Sequence, residues 1–289
     1  MTTSIATVDV ESGGERTLMR RVAVIGDVGG YVRHLRHALG QLGVTDSVWP
    51  DDLHVIQVGD LFGGRADVQV AELVGPHLRA GRWTQLIGNW ELEAVGGVAI
   101  GRAGRTVHPD AVAEFRCWHR DGLVRRAASV TSSTGSVGVV THAGISRGFW
   151  RNDLRSEPDA HRVVEMLNMM RLDDVCRPGS MFGRPDESAP GPFWSSEAET
   201  WRDWVECPFP QVHGHTTAWS PTRGWSDFLP ENLRGRARAD RGHVIFTPSP
   251  GSPPIIGLDP GLWDHSVAGA LRPLVLRSPE QARNACVVE

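Results

Sequence analysis

The chain contains no lysine. All 30 of its basic side chains are arginine, set against 34 acidic ones for a net charge of -4. A weakly acidic balance gives no purchase on a phosphate backbone by charge alone, so nucleic acid is not an expected partner. The arginine bias is what a GC-rich genome produces, and it carries no functional meaning by itself. Cysteine is scarce as well: Cys117, Cys176, Cys207 and Cys286 lie too far apart for a CxxC pair or a zinc-ribbon spacing. Reduced thiols in a cytoplasmic chain are the expectation. No window reaches the roughly 18 apolar residues of a membrane span, and the first 20 residues lack the apolar stretch of a secretory signal. A soluble protein with no membrane partner is expected. The closing Cys286-Val287-Val288-Glu289 has the outline of a prenylation box, but it ends in an unusual Glu and follows no basic run.

What is present argues for a folded enzyme-sized unit. The 289 residues are 40% hydrophobic, enough for a sizeable core, which excludes a disordered chain or a small disulfide scaffold. After a polar leader over 1–20, a single domain over 21–289 is expected. Arg21 to Ile25 reads as a strand, and the apolar residues Val32, Leu35, Leu39 and Leu42 then recur at helical spacing until Gly43. The unit repeats: strand Leu53 to Val58, helix Asp67 to Arg79, strand Trp83 to Ile87. Alternating strands and helices point to a layered α/β fold. Further on, Pro109 to Arg126 reads as a helix, Ser136 to Val140 as a strand, and Asp159 to Leu172 as a helix with a Met-rich apolar face turned to the core. Strands follow at Pro210 to Val212, Val244 to Phe246 and Ile255 to Leu258, with an arginine-rich hairpin at Leu233 to Asp240. The segment around 150–210 is expected to be loop-rich, most of all Arg177 to Pro192 with its Pro, Gly and Ser.

Chemistry concentrates at the strand ends. VAVIGD closes on Asp27, VIQVGD on Asp60, TQLIGN on Asn89 and VGVVTH on His142, while QVHGH carries His213 and His215. In α/β sheets ligands collect beyond the carboxyl ends of strands, so five segments would aim oxygen and imidazole groups at one place. Any one of these motifs alone is more often a turn or a satisfied interior histidine. Carboxylate, amide oxygen and imidazole together suit Mn, Fe or Zn better than Ca or a thiolate-held ion. Gly88-Asn89-Trp90-Glu91 adds an amide and an acid just past a buried strand.

The order GD, GD, GNxE, HAG, GHT resembles the calcineurin-like metallophosphoesterases, and among them the bacterial phosphoprotein-phosphatase type. Segments 22–30, 55–67, 86–91, 140–146 and 212–216 carry the likeness, and Ile256-Gly257-Leu258-Asp259-Pro260-Gly261 resembles the closing strand and turn. The resemblance implies a central β-sandwich flanked by helices and a dinuclear metal site at the sheet ends. It further implies metal roles for Asp27, Asp60, Asn89, His142 and His215, with Asp60 bridging, and catalytic roles for Asp27, Asp60, Asn89 and Glu91. Arg65, Arg147 and His213 are candidates for holding substrate, with Arg33 a further one. The implied partner is a small phosphorylated molecule or a phosphoprotein.

Three positions depart from the family pattern. Gly29 stands where the first block has a ligand histidine, Trp90 stands in place of the histidine of GNHE, and Leu61-Phe62-Gly63-Gly64-Arg65 lacks the aspartate of the second block. These departures predict a weak or specialised hydrolase, with one metal position complete and the other doubtful. A degenerate relative that binds metal or a phosphorylated ligand and regulates a partner is the alternative. Tyr31, the only tyrosine, and His34 are possible stand-ins for the lost ligand, although a Tyr that opens a helix is usually packing. Trp90, Trp194 and Trp219 are candidates for an aromatic pocket wall.

Overall fold

The structure is a computed structural model, and it describes residues 21–97, 106–132, 135–179, 189–220, 222–227, 229–259, 261 and 271–277. The leader over 1–20, the middle of the Pro/Gly/Ser-rich loop, Pro260 of the closing turn and Cys286–Glu289 lie outside the described residues.

The elements run β1 (Arg21–Ile25), α1 (Val32–Gln41), β2 (Leu53–Gln57), α2 (Asp67–Arg79), β3 (Trp83–Leu86), α3 (Pro109–Arg120), β4 (Val124–Arg125), β5 (Ala127–Thr131) and β6 (Val137–Thr141). Helices α4 (Arg147–Asn152), α5 (Ala160–Met169), α6 (Leu172–Val175) and α7 (Glu197–Arg202) come next. The chain closes with β7 (Gln211–His213), β8 (Trp219–Ser220), β9 (Gly224–Trp225), α8 (Glu231–Arg234), β10 (Ala237–Asp240), β11 (His243–Phe246), β12 (Ile255–Gly257) and β13 (Leu274–Arg277).

Two sheets carry the architecture. One has five strands in the order β13-β1-β2-β3-β4, the other six in the order β10-β11-β12-β7-β6-β5. Strand alternation explains how they stack. Val22, Val24, Ile56, Val58, Leu86 and Leu276 from the first sheet share a buried cluster with Val130, Val140, Val212, Ile256 and Leu258 from the second. The intervening residues, such as Ala23, Ile25 and Val55, face outward into a larger cluster with the helices. The result is a β-sandwich with helices on its outer faces, a mixed α/β fold as expected. The parallel run β1-β2-β3 brings three strand ends to one edge, and the parallel pairs β6-β7 and β7-β12 bring three more.

Several expectations change in detail. The helix predicted to reach Arg126 stops at Arg120, because Gly122 takes a left-handed φ of +72° and turns the chain into β4 and β5. The helix predicted to run to Leu172 ends at Met169, and its buried face is Ala160, Val163 and Leu167. Of its methionines and the one that follows it, Met169 is 73% exposed, while Met166 and Met170 are partly buried and pack against the core. The described part of 150–210 holds the end of α4 and the short helices α5, α6 and α7, joined by irregular stretches. Three of them are fixed by side-chain caps: Ser146 accepts from Phe149 N, Asp159 from Arg162 N, and Ser196 forms a capping box with Glu199. No helix among the described residues is long and apolar enough to cross a membrane.

Candidate metal centre

The two sheets deliver their strand ends to a common spot. Asp60, from the turn after β2, His142, just past β6, and His215, just past β7, place ligand atoms within 4.8 Å of one another. All three side chains are buried. Asn89, after β3, completes the group: its Oδ1 lies 2.8 Å from His142 Nε2 and 3.0 Å from His215 Nδ1. His142 Nε2 is also 3.1 Å from His215 Nδ1 and 3.5 Å from Asp60 Oδ1. Residues 82, 53 and 73 positions apart and more along the chain thus meet within one coordination radius.

Protonation follows from the surroundings. The Nδ1 of His142 sits 3.2 Å from the carbonyl of Val58, which assigns it the ring proton and leaves the Nε2 lone pair facing the cluster. Burial, reinforced by the neighbouring His215, holds His142 well below the usual imidazole pKa, so it is neutral. Burial likewise lowers His215 to about 3. With the amide oxygen of Asn89 turned inward, the spot is lined by acceptors, and only His215 Nδ1 has the valence to bring a proton. Turned over, the Asn89 nitrogen would instead donate to Asp60 Oδ1 and Oδ2 at 3.2 and 3.1 Å. Oxygen inward suits a cation; nitrogen inward suits an empty cluster. The donor set, mixed nitrogen and oxygen, therefore fits a divalent metal.

The backbone is bent to make this possible. Asp60 and His215 both adopt left-handed conformations, with φ of +53° and +74°. Non-glycine residues in that region store energy on the order of 1–3 kcal/mol, which the surrounding structure must hold in place. The turns are pressed together: a Cβ on Gly59 would lie 2.6 Å from Gly88 Cα and 2.9 Å from His142 Nδ1. Glu91 fastens them, accepting from Gly88 N at 2.9 Å, Asp60 N at 3.0 Å and Phe62 N at 3.1 Å. Burial pushes its pKa up to about 7 even though these three amides pull it back. Expected as a catalytic group, Glu91 instead turns both carboxylate oxygens toward backbone and acts by holding the β2 and β3 turns. Trp90 N donates to Asp60 Oδ1 at 3.0 Å and orients that carboxylate.

Asp27 reaches the same region from β1. Both of its oxygens accept from His215 N, at 3.0 and 3.1 Å. It stands next to the His/Asn group rather than within the three-residue cluster. Gly29, at φ +56°, offers no side chain, and the nearest atoms to a Cβ there belong to the Tyr31 ring at 3.6 Å. Trp90 is 9% exposed, and its ring lies over Gly63, whose notional Cβ would come within 2.5 Å of the indole. Trp90 and Gly63 are therefore in contact, with the indole filling the space that a side chain at 63 would take.

The expected substrate-holding residues differ in their surroundings. Arg65 and Arg33 are exposed, and Arg147 is half-buried at the start of α4. Both ring nitrogens of His213 are engaged: Trp201 Nε1 donates to its Nε2 at 3.2 Å, and its Nδ1 pairs with Gly214 O at 3.0 Å. Burial lowers it to about 4. The second-sheet histidine expected to hold substrate thus supports the β7 turn instead. Of the aromatic candidates, Trp194 is fully buried and meets His215 edge-on at 6.1 Å.

Sequence reasoning passed over a buried glutamine chain beneath the turns. Gln57 Nε2 donates to the carbonyls of Gly26 and Gly59, and its Oε1 accepts from Gly59 N and from Gln85 Nε2. Trp83 Nε1 donates to Gln85 Oε1. Gln211 does the same for the turn after β6 by pairing with both N–H and C=O of Ile145. The available signal was an amide placed inside the apolar strands LHVIQ, WTQL and QVH, where a polar side chain needs a buried partner.

No family model matches the sequence, and no curated protein matches it. Among solved structures the chain is similar to a metallophosphoesterase from Sphaerobacter thermophilus, at 15% identity over 83% of this chain and 76% of that one, with a TM-score of 0.39. It is also similar to a protein serine/threonine phosphatase from Saccharomyces cerevisiae, at 12% identity over 90% and 80% of the two chains, with a TM-score of 0.38.

Proposed function

We propose that the chain is a metal-dependent phosphoester hydrolase of the calcineurin-like kind, cytoplasmic, acting on a small phosphorylated molecule or a phosphoprotein. One observation carries this reading: the buried side chains of Asp60, Asn89, His142 and His215 converge on a single spot. A divalent ion there supplies Lewis-acid polarisation of a phosphoryl oxygen and a water of lowered pKa. The protein's own part is positional. His142 is held as the correct tautomer by Val58 O, Asp60 is oriented by Trp90 N, and the turns are locked by Glu91 and Gln57. Asp27, fixed by the His215 amide, adds two carboxyl oxygens beside the group.

What the residues lack sets the expected substrate range. An indole donates a hydrogen bond but releases no proton near neutral pH, so Trp90 supplies no general acid for a poor leaving alcohol. Activity should favour nitrophenyl phosphate or a phosphoanhydride over alkyl phosphates. The decisive experiment is metal analysis of the gently purified protein together with hydrolysis of nitrophenyl phosphate. At least one equivalent of Mn, Fe or Zn with metal-dependent turnover is expected; less than one equivalent overturns the hydrolase reading. The indole packed over Gly63 favours a second reading, a binding protein on the same fold, and that reading predicts bound metal without turnover.

A further inference from the structure

His215 stands at the centre of a strained turn. Gly214 O accepts from Thr216 N at 3.0 Å, closing a three-residue turn, and the φ of +74° at His215 makes it the rare γ form rather than its relaxed inverse. The peptide between Gly214 and His215 is pinned on both sides. Its N–H faces the two oxygens of Asp27 at 3.0 and 3.1 Å, and its carbonyl lies 3.0 Å from Nδ1 of His213. Gly214 N in turn donates to His142 O at 2.7 Å, tying this turn to the one that carries His142. A carbonyl only accepts, so Nδ1 of His213 carries the ring proton. An indole N–H only donates, so Nε2 is bare and receives Trp201 Nε1 at 3.2 Å. The indole therefore selects the tautomer that the Gly214 carbonyl needs.

Neither ring is free to leave this arrangement, since both are fully buried. Trp201 stacks on Phe246 with ring centroids 5.0 Å apart and planes 8° from parallel. A Cβ on Gly144 would come within 3.2 Å of His213 Cδ2 and 2.6 Å of Thr200 Cγ2. The segment that carries Trp201 also grips the β6 turn: Thr200 Oγ1 donates to Ala143 O at 3.1 Å, and Trp204 Nε1, just beyond α7, donates to Ile145 O at 3.1 Å. Helix α7 is thus docked on both histidine-bearing turns of the second sheet, as Glu91 is on the turns of the first.

We propose that Trp201 is a positioning residue for the metal centre that acts through His213: its indole N–H keeps the His213 proton on Nδ1, and that proton holds the Gly214 carbonyl and the strained turn that aims His215 at the cation. This rests on the metal-centre reading above. Without the indole N–H, Nε2 can take the proton; Nδ1 then turns a lone pair on a carbonyl oxygen, and the repulsion releases the turn. Outer partners of this kind typically change metal affinity by about 10–100-fold without touching the ion.

The test is a Co²⁺ titration of the full chain after chelation and desalting, read by visible absorption, alongside proton–nitrogen NMR spectra of the histidine rings in the metal-free protein. Wild type is expected to carry the His213 proton on Nδ1; a proton on Nε2 overturns the proposal without any substitution. Trp201→Phe keeps a ring against Phe246 and removes the donor. It is expected to shift His213 toward the Nε2–H form, to bind Co²⁺ about 10–100-fold more weakly and to alter the absorption band. His213→Asn, whose amide N–H stands where Nδ1–H stood, is expected to bind like wild type, and His213→Leu as weakly as Trp201→Phe. Adding Trp201→Phe to His213→Asn should cost no further affinity, because the two residues act as one unit. Unchanged affinity and band in Trp201→Phe, or a further loss in the double variant, overturns the proposal and leaves the metal-centre reading standing. No Co²⁺ binding by wild type overturns both. Should Trp201→Phe fail to fold, the contrast between His213→Asn and His213→Leu decides: weaker binding in the Leu variant alone supports the role of Nδ1–H, and equal affinities refute it.

Discussion

Replacing Trp90 by His tests whether this position limits the chemistry. The indole is 9% exposed, belongs to the outer core cluster and roofs Gly63. Truncating a buried Trp to Ala costs about 3–5 kcal/mol, and an imidazole refills part of that space, so a loss of about 2–3 kcal/mol is expected. For a chain of this size that is a fall in Tm of about 5–10 °C. The backbone N–H to Asp60 survives, so the metal ligands stay placed. A proton donor at this position should then raise the rate by about 10²–10⁴ on an alkyl phosphate and far less on nitrophenyl phosphate, whose leaving group needs no proton. The assay is kcat/KM for both esters on metal-loaded protein, alongside a thermal melt. A drop in Tm with no gain on either substrate, or an equal gain on both, refutes the assignment of position 90.

Gly29→His has room, since only the Tyr31 ring approaches, and should cost about 1–2 kcal/mol for the left-handed backbone while tightening Mn²⁺ binding by calorimetry. Gly88→Ala should abolish metal binding and lower the yield of folded protein, because its Cβ collides with the Asp60 backbone. Glu91→Gln leaves an amide N–H facing backbone N–H groups, and a loss of about 1–3 kcal/mol in denaturant melts is expected together with weaker metal retention. His54, fully buried and bonded to Thr84, is lowered to about 4 by burial. Its folded pKa lies below its unfolded one, so the unfolded chain binds the extra proton between about pH 6.5 and 4, and stability falls as pH falls through that window. The shift corresponds to about 3 kcal/mol, and His54→Gln should flatten the acid limb of a denaturation series by that amount.

The layered fold was legible because β1 and α2 carry strong local signals: an unbroken apolar run bounded by glycine, and an amphipathic stretch ending before Ala80. The convergence of Asp60, Asn89, His142 and His215 was legible for a different reason. Each ends a strand, and strand ends of parallel runs share an edge. What failed depended on contacts between segments far apart. His213 and His215 look alike in sequence, yet Trp201 from α7 takes one of them. Glu91 reads as a reactive acid until the three amides it serves are seen to come from two different turns. Strand β13 carries little signal of its own, being a short edge strand that pairs with β1 alone.

The inner faces of the two sheets and the cation ligands are assembled by the same event. Asp60 and Asn89 ride on one layer, His142 and His215 on the other, so an encounter complex in which the layers have not yet closed holds at most half of the donors. An ion gripped by all four acts after the rate-limiting collapse and not before it. Saturating metal should therefore prolong the lifetime of the native protein by slowing its opening, while refolding from denaturant proceeds at the same speed with or without it.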